Sequence, residues 1–208
     1  MSVLEKLFDD CNCDKGTKGY GSKGHQYWRV YEKFFEPVRH EPINLLEIGI
    51  WKAKSFNAYV DYFTQAEIYG IDLFERIPLT APKYKHLLEN PKVHLMEKDS
   101  TVDDPLWGPD VKFDLIIDDG DHSPGAQLKT FRAHWDKLKV GGTYFIEDVL
   151  PMHKLNESER NKLSLLKLNQ KTDYDEFYEE MKKHKASGWD LRPYSGKKDS
   201  FIFQITKT

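Results

Sequence analysis

The sequence predicts an α/β fold in which helices cover both faces of a doubly wound, mostly parallel seven-stranded sheet with an antiparallel C-terminal hairpin strand. Two observations lead to this prediction. Apolar runs of strand length alternate along the chain with helical patterns, and these runs are hydrophobic at successive positions. Strands of that kind are buried on both faces, as in parallel sheets wrapped by helices. The closing strand is predicted from FIFQI at 201–205, whose alternating pattern follows the turn SGKKDS.

The composition is that of one folded domain. The chain has 208 residues, of which 39% are hydrophobic and 31% charged, so we expect a single domain over 1–208. Within it we expect an N-terminal helix and glycine-rich lid at 1–40, a ligand-binding core at 41–150, and C-terminal helices with a hairpin at 151–208. The formal net charge of −3 argues against a nucleic-acid or anionic-membrane partner.

Two further features bear on location. No segment approaches the length of a membrane span, and MSVLEKLFDD is not typical of a signal peptide. The only cysteines, Cys11 and Cys13, are spaced too closely for an unstrained disulfide. We therefore expect a reducing, cytoplasmic environment.

The elements of the N-terminal part follow in order. Residues 2–10 predict a short helix, and DKGTKGYGSKGHQYW predicts a flexible glycine loop. A helical pattern in HQYWRVYEKFFEPV ends at Pro37. The apolar run INLLEIGI predicts the first strand. The next helix is predicted to begin at Ser55, which would serve as its own cap.

The remaining elements complete the alternation. EIYGIDLF, KVHLMEKDS, FDLIIDD and TYFIEDV predict four more strands, and PKYKHLLEN predicts a short helix. In AQLKTFRAHWDKL, helical spacing predicts one apolar face, made by Leu128, Phe131, Trp135 and Leu138. Two charged helices are predicted at 156–169 and 173–185.

Acidic residues stand at the ends of all five strands of the core. Because the carboxyl ends of parallel strands meet at one edge, we expect a ligand site there. Acids crowded at one edge repel one another unless a cation or several donors compensate them. The residues concerned are Glu47 with Gly49, Asp72, Asp99 with Ser100, Asp118, Asp119, Asp121 and His122, and Glu147 with Asp148.

The turn after the first strand separates two classes of nucleotide ligand. Asp72, at the end of the second strand, suits the two hydroxyls of a ribose. A pyrophosphate needs G-x-G-x-x-G, whereas this turn reads EIGIWKAKS and has only Gly49. A nucleoside without phosphate fits better. S-adenosylmethionine is such a ligand, and its sulfonium and amino group would offset the acids.

These motifs resemble a known family. LLEIGI, YGIDLF, the acid after the third strand and FDLIIDDGDH resemble a class I S-adenosylmethionine-dependent methyltransferase with a Rossmann-like fold. More narrowly, DKGTKGY, LLEIGI, IIDDGDH and YFIEDV, in that order, resemble the mycinamicin-type sugar O-methyltransferases. The resemblance covers about residues 14–150. The chain departs from the family in two ways. It is short, and it has Lys52 and Lys54 where relatives usually have small residues.

The resemblance implies roles for individual residues. His122 would be the general base, with Asp119 and Asp148 beside it. The methyl group would be accepted by a sugar hydroxyl, for example that of a deoxyhexose such as rhamnose in a glycoside or glycan. The glycine loop would cover the site. The cofactor would lie against Glu47, Gly49, Ile50, Ser55, Asp72, Leu73, Asp99, Ser100 and Asp118.

Several alternatives stay open at this point. Asp119, Glu147 and Asp148 are candidate Mg²⁺ ligands, but Asp119 could equally orient His122 without a metal. The acceptor-side candidates are Tyr20, His25, Tyr27 and Trp28. A catechol-type methyltransferase, a nicotinamide oxidoreductase and a nucleoside-binding module without activity are the competing functions. The FIFQI strand is predicted to be exposed, so it could pair with a strand of another subunit in a homo-oligomer.

Overall fold

The protein is described by a computed structural model that covers residues 1–102, 107–108, 110–151 and 171–208. The helices are α1 (Val3–Asp10), α2 (Trp28–Phe35), α3 (Lys54–Tyr62), α4 (Lys85–Leu88), α5 (Pro124–Trp135), α6 (Lys171–Lys183) and α7 (Arg192–Ser195). The strands are β1 (Lys18–Gly19), β2 (Ser22–Lys23), β3 (Asn44–Ile48), β4 (Glu67–Asp72), β5 (Val93–Glu97), β6 (Phe113–Asp118), β7 (Leu138–Ile146), β8 (Ser187–Asp190) and β9 (Phe201–Thr206). Among the described residues, no helix has the length and apolar character needed to cross a membrane.

Seven strands form the central sheet in the order β5-β4-β3-β6-β7-β9-β8. The pairs from β5 to β7 are parallel, whereas β9 is antiparallel to both of its neighbours. The predicted α/β fold, with a mostly parallel seven-stranded sheet, is therefore confirmed. Since β3 is flanked by β4 on one side and β6 on the other, the chain reverses its direction of winding at β3, where ligands of such sheets bind.

Helices pack on both faces of this sheet, and neighbouring strand residues serve opposite faces. Leu45 and Ile117 join the cluster that includes residues of α1, α2 and α3. Leu46 and Ile116 join the cluster on the other face, together with Phe131 of α5. This two-sided burial explains why the strands are hydrophobic at successive positions.

Three local predictions were wrong. The helix expected to begin at Ser55 begins at Lys54, and its cap is Ala53 in a left-handed conformation with no side-chain hydrogen bond. Ser55 is instead buried in the first turn. Leu138 does not extend the apolar face of α5, because it is the first residue of β7.

The third error concerns FIFQI. Its strand, β9, is paired along both edges, and residues Phe201–Ile205 are all buried. This strand therefore has no edge for pairing with another subunit. The helix predicted at 156–169 lies outside the described residues, and the one predicted at 173–185 is observed as α6.

The glycine loop, expected to be flexible, packs closely on the core as an N-terminal strap, residues 11–27. A short antiparallel pair of β1 and β2 forms its tip. A close backbone approach explains Gly24, because a Cβ added there would lie 2.2 Å from the carbonyl oxygen of Gly16. The Asp9 carboxylate accepts hydrogen bonds from the backbone and the hydroxyl of Thr17, which ties the strap to α1.

Candidate functional site

A cavity of about 840 Å³ opens at the carboxyl edge of the sheet, where the sequence predicted a site. Its walls include residues that follow β3, β4, β5, β6 and β7. Eleven of the predicted site residues line it, namely Tyr20, Gly49, Ile50, Ser55, Asp72, Leu73, Asp99, Ser100, Asp119, His122 and Asp148. The cavity therefore joins the predicted cofactor residues to the predicted catalytic ones.

The turn after β3 depends on a close approach of two loops. Gly49 has φ +86°, and a Cβ there would lie 2.1 Å from the backbone oxygen of Asp119. Glycine meets both constraints, since it adopts positive φ without steric cost and has no side chain. Gly49 thereby allows the loop that carries the catalytic candidates to pack against the loop that carries the cofactor candidates.

Asp72 fixes the same turn from β4. One carboxylate oxygen accepts hydrogen bonds from the backbone N–H groups of Ile50 and Trp51, and the other accepts one from Phe74. A carboxylate has about four acceptor positions, so roughly one stays available for a ligand. The bidentate ribose contact expected from the sequence would require some of these bonds to be shared.

Two predicted cofactor residues are buried and do not line the cavity. Glu47 is 0% exposed and Asp118 is 2% exposed. Neither oxygen of the Glu47 carboxylate, nor Oδ2 of Asp118, has a hydrogen-bond partner in the described part of the chain. Burial raises the pKa of Glu47 to about 8 and that of Asp118 to about 7. The raised pKa keeps a proton on Glu47 at neutral pH, which avoids the cost of a buried charge, and a cationic ligand nearby would favour the ionised carboxylates instead.

The remaining cofactor candidates lie at the rim. Leu73 is half exposed. Asp99 accepts hydrogen bonds from the backbone and hydroxyl of Thr101, which lower its pKa. The hydroxyl of Ser100 lies 3.4 Å from that of Thr130.

His122 lies between two carboxylates on the cavity wall. Its Nε2 is 3.2 Å from Oδ1 of Asp119, and its Nδ1 is 3.3 Å from Oδ2 of Asp148. Burial alone would lower the pKa of His122, but the hydrogen bond and charge of Asp119, with the charges of Asp148 and Glu147, raise it to about 10. The imidazole is thus oriented at both nitrogens, and it carries a proton at neutral pH in this arrangement.

Three of the four acceptor-side candidates lie elsewhere than expected. His25 and Tyr27 are buried, and neither lines the cavity. The Tyr27 hydroxyl donates to Oδ1 of Asp148, and His25 Nδ1 is 3.3 Å from the same oxygen. Trp28 is half-buried, with its indole N–H directed to Gln26. The burial of His25 and Tyr27 leaves no ring face for a sugar, and in this structure both side chains support Asp148.

The fourth candidate, Tyr20, forms an aromatic rim at the cavity. Its ring centroid is 5.2 Å from that of Trp51. The ammonium groups of Lys52 and Lys54 lie over the Tyr20 ring at 4.8 and 4.4 Å. Cation–π contacts of this kind order exposed rings, and the rim presents two aromatic groups and two cations to a ligand.

Sequence reasoning missed Lys15, a buried basic residue that contacts two of the strand-end acids. Its ammonium is 2.5 Å from Oδ2 of Asp119 and 2.5 Å from Oε2 of Glu147. The side chain is only 2% exposed. The other oxygen of Glu147 accepts a hydrogen bond from the Tyr31 hydroxyl. The one available signal was the repeated placement of lysine within the glycine loop, which does not distinguish Lys15 from its exposed neighbours.

The predicted metal set is therefore divided. Glu147 is 1% exposed, with one oxygen bonded to Lys15 and the other to Tyr31. The ligand atoms that come together around the cavity belong to Asp119, His122 and Asp148, all within 4.8 Å of one another. Carboxylate oxygens are the donors that Mg²⁺ prefers. Asp119 and Asp148 line the cavity and fit this ion, whereas Glu147 is buried and does not line it.

Comparisons with known proteins agree with this architecture. A family model described as a methyltransferase domain matches residues 46–149. An 8-demethyl-8-(2-methoxy-alpha-L-rhamnosyl)-tetracenomycin-C 3'-O-methyltransferase of Streptomyces olivaceus is 31% identical over 60% of this chain and 32% of that protein. Mycinamicin VI 2''-O-methyltransferase of Micromonospora griseorubida is 25% identical over 60% of this chain and 32% of that protein.

Solved structures show the same fold. A methyltransferase of the mycinamycin biosynthetic pathway, solved in complex with Mg, SAH and mycinamycin VI, aligns with a TM-score of 0.65 at 18% identity, over 99% of this chain and 54% of that chain. Fibrillarin of Methanococcus jannaschii aligns with a TM-score of 0.55 at 17% identity, over 81% of this chain and 67% of that chain. The chain spans about a third of the length of the curated relatives that it matches.

Proposed function

The chain belongs to the methyltransferase domain family, and we propose that it transfers a methyl group from S-adenosylmethionine to a sugar hydroxyl. The observation that carries this proposal is the position of His122 between Asp119 and Asp148 on the cavity that also contains Gly49 and Asp72. A base and a nucleoside-type site on one cavity are what methyl transfer to a hydroxyl requires.

The charges of the site support this cofactor. S-adenosylmethionine carries a sulfonium and an amino group, both positive at neutral pH. The buried carboxylates of Glu47 and Asp118 have unpartnered oxygens, and a nearby cation would offset their burial. Gly49, Ile50 and Ser55 would lie against the methionine portion. Asp72 with Leu73 would border the ribose, and Asp99 with Ser100 would border the adenine.

The chain's own residues would then align and deprotonate the acceptor. Methyl transfer needs the hydroxyl oxygen in line with the methyl carbon and the sulfur. His122, oriented at both nitrogens, would receive the hydroxyl proton. Because a base must be neutral, the charges of Asp119 and Asp148 have to be offset. Mg²⁺ held by these two carboxylates would supply that positive charge, and activity that survives thorough chelation would remove the metal from the proposal.

The acceptor class rests on the relatives and on the aromatic rim. The curated relatives are named as O-methyltransferases of rhamnosyl tetracenomycins and of mycinamicin VI, which supports a deoxyhexose acceptor in a glycoside or glycan. Tyr20 and Trp51 provide rings that could pack on a sugar face. A catechol-type methyltransferase is the second candidate, because it would also use clustered acids and a metal. Turnover of a catechol but of no glycoside would favour it.

The organisation and surroundings of the enzyme complete the proposal. Residues 1–208 would act as a single domain in which 1–40 cover the site, 41–150 hold the cofactor and 151–208 complete the sheet. Cys11 and Cys13 are free thiols, which supports a reducing, cytoplasmic compartment. The acceptor would be a small molecule or glycan rather than a nucleic acid.

Calorimetric titration is the decisive test. S-adenosylmethionine, S-adenosylhomocysteine and NADH are titrated separately, each with and without Mg²⁺. Micromolar binding of the first two supports the proposal, and a panel of rhamnosyl and other deoxysugar glycosides then identifies the acceptor. Binding of NADH alone would refute the cofactor assignment and indicate an oxidoreductase. Binding of S-adenosylmethionine without turnover of any acceptor would indicate a nucleoside-binding module.

A further inference from the structure

Lys15 is a buried cation that the mechanism above does not use. It comes from the N-terminal strap, residues 11–27, and reaches acids that follow it by 104 and 132 positions. Its ammonium lies 2.5 Å from a carboxylate oxygen of each acid, and the side chain is only 2% exposed. Lys15 is therefore held between two carboxylates and away from solvent.

The surroundings of Glu147 hold it in this pair. Its Oε2 bonds to Lys15 and its Oε1 accepts from Tyr31. Its backbone oxygen accepts a hydrogen bond from the side chain of Gln127. Both carboxylate oxygens are thus engaged, and 1% exposure leaves no room for solvent. An ion could reach Glu147 only if Lys15 withdrew.

Asp119 differs from Glu147 in this respect. Its Oδ2 faces Lys15, while its Oδ1 faces His122 near Asp148. One side of Asp119 is committed to Lys15 and the other is turned to the cavity. Two cations could therefore share Asp119, but only one of them can be bound to Glu147.

We propose that Lys15 is a positioning residue that acts as the resident cation of the Asp119–Glu147 pair and restricts a divalent ion to Asp119 and Asp148. This inference rests on the site of the proposed function, but it concerns metal binding rather than catalysis. Affinity for a hard cation rises with the number of charged ligands. Removal of the ammonium would free Glu147 as a third carboxylate and strengthen metal binding.

Metal titrations of matched variants test this inference. Mn²⁺ binding is measured by electron paramagnetic resonance on the full chain at pH 8, without substrate. We expect Lys15→Met to bind Mn²⁺ at least about tenfold more tightly than wild type. Lys15→Arg, which keeps the charge, should remain near wild type. Lys18→Met removes an exposed lysine of the same strap and should change nothing.

Glu147→Gln provides the second half of a double-mutant cycle. In the wild-type background it should leave Mn²⁺ affinity within about twofold, because Glu147 does not bind the ion there. In the Lys15→Met background it should remove the gain. A loss of tenfold or more from Glu147→Gln alone would make Glu147 a native ligand and overturn the inference. The inference would also be overturned if Lys15→Met bound Mn²⁺ no better than wild type does, or if neither protein bound Mn²⁺.

Two measurements separate this result from folding defects and from the proposed function. Thermal unfolding verifies that each variant is folded, and the Glu147→Gln comparison stands even where Lys15→Met does not fold. S-adenosylhomocysteine binding is measured separately by calorimetry. Its absence would refute the cofactor assignment, whereas the Mn²⁺ comparison would still decide the role of Lys15.

Discussion

Substitution of Gly49 by alanine tests the contact that joins the two halves of the site. The residue has φ +86°, and an added Cβ would lie 2.1 Å from the backbone oxygen of Asp119. That separation is more than about 1 Å shorter than an ordinary van der Waals contact. Either the turn after β3 or the loop that carries Asp119 and His122 must therefore move.

The expected magnitude has two parts. A left-handed conformation costs a non-glycine residue about 1–2 kcal/mol. Forcing an extra methyl group into a packed region costs about 1–3 kcal/mol more. We expect Gly49→Ala to lower the free energy of unfolding by about 2–5 kcal/mol. A displacement of about 1 Å at a catalytic group reduces turnover by about 10²-fold.

Gly21→Ala is the matched control. Gly21 also has positive φ, +80°, but an added Cβ there would have no atom within 4 Å. Gly21→Ala should lower the free energy of unfolding only by the conformational part, about 1–2 kcal/mol, and should leave turnover near wild type. Urea unfolding and initial-rate assays measure both effects. Equal destabilisation by the two substitutions, or normal turnover of Gly49→Ala, would refute the close approach of the two loops.

Three further predictions concern buried or oriented polar groups. His122→Ala should lower kcat by about 10²-fold or more while S-adenosylhomocysteine binding stays unchanged, and near-normal turnover would refute its role as base. Tyr31→Phe removes the donor to Glu147 and should lower the free energy of unfolding in urea by about 1–3 kcal/mol. Tyr59→Phe is the control and should be neutral or stabilising, because the buried hydroxyl of Tyr59 has no partner in the described structure. Equal effects of the two substitutions would contradict the hydrogen bond from Tyr31 to Glu147. Burial raises the pKa of Glu47 from its usual 4.5 to about 8, so the folded state retains a proton that the unfolded chain loses, and the stability of the ligand-free protein should fall as pH rises through this interval. Glu47→Gln should flatten that fall in thermal unfolding, and an unchanged pH profile would count against the shift.

Much of the fold could be predicted because its signals are local. Buried strands of a parallel sheet are apolar at successive positions, as in β3 and β6, and this pattern needs no knowledge of their neighbours. The edge at which Asp72, Asp119 and Asp148 meet follows from the same rule, since parallel strands end on one side. The sequence therefore located the cavity before its shape was known.

Other predictions failed where a local pattern has more than one tertiary outcome. Ser55 has the chemistry of a cap, but the turn uses Ala53 in a left-handed conformation, and Ser55 is buried instead. The alternation in FIFQI is typical of an exposed strand, yet the chain inserts β9 between β7 and β8. Strand order depends on which edges the other strands leave available, and a single segment does not carry that information.

The roles of the strap residues illustrate the same limit at the site. Tyr27 and His25 follow the glycine loop closely enough to suggest contact with the acceptor, but their buried side chains support Asp148. Lys15 resembles Lys18 in its sequence context, yet one is buried between carboxylates and the other is exposed.

The sequence by itself determined the alternating α/β order, the five acidic strand ends and the absence of a pyrophosphate-binding glycine pattern, because each depends on residues close together in the chain. Only the tertiary structure decided which cation compensates which acid. Electrostatic pairing depends on distance in space and on exclusion of water. The contact of Lys15 with Glu147 therefore exists only after the strap has packed against the edge of the sheet.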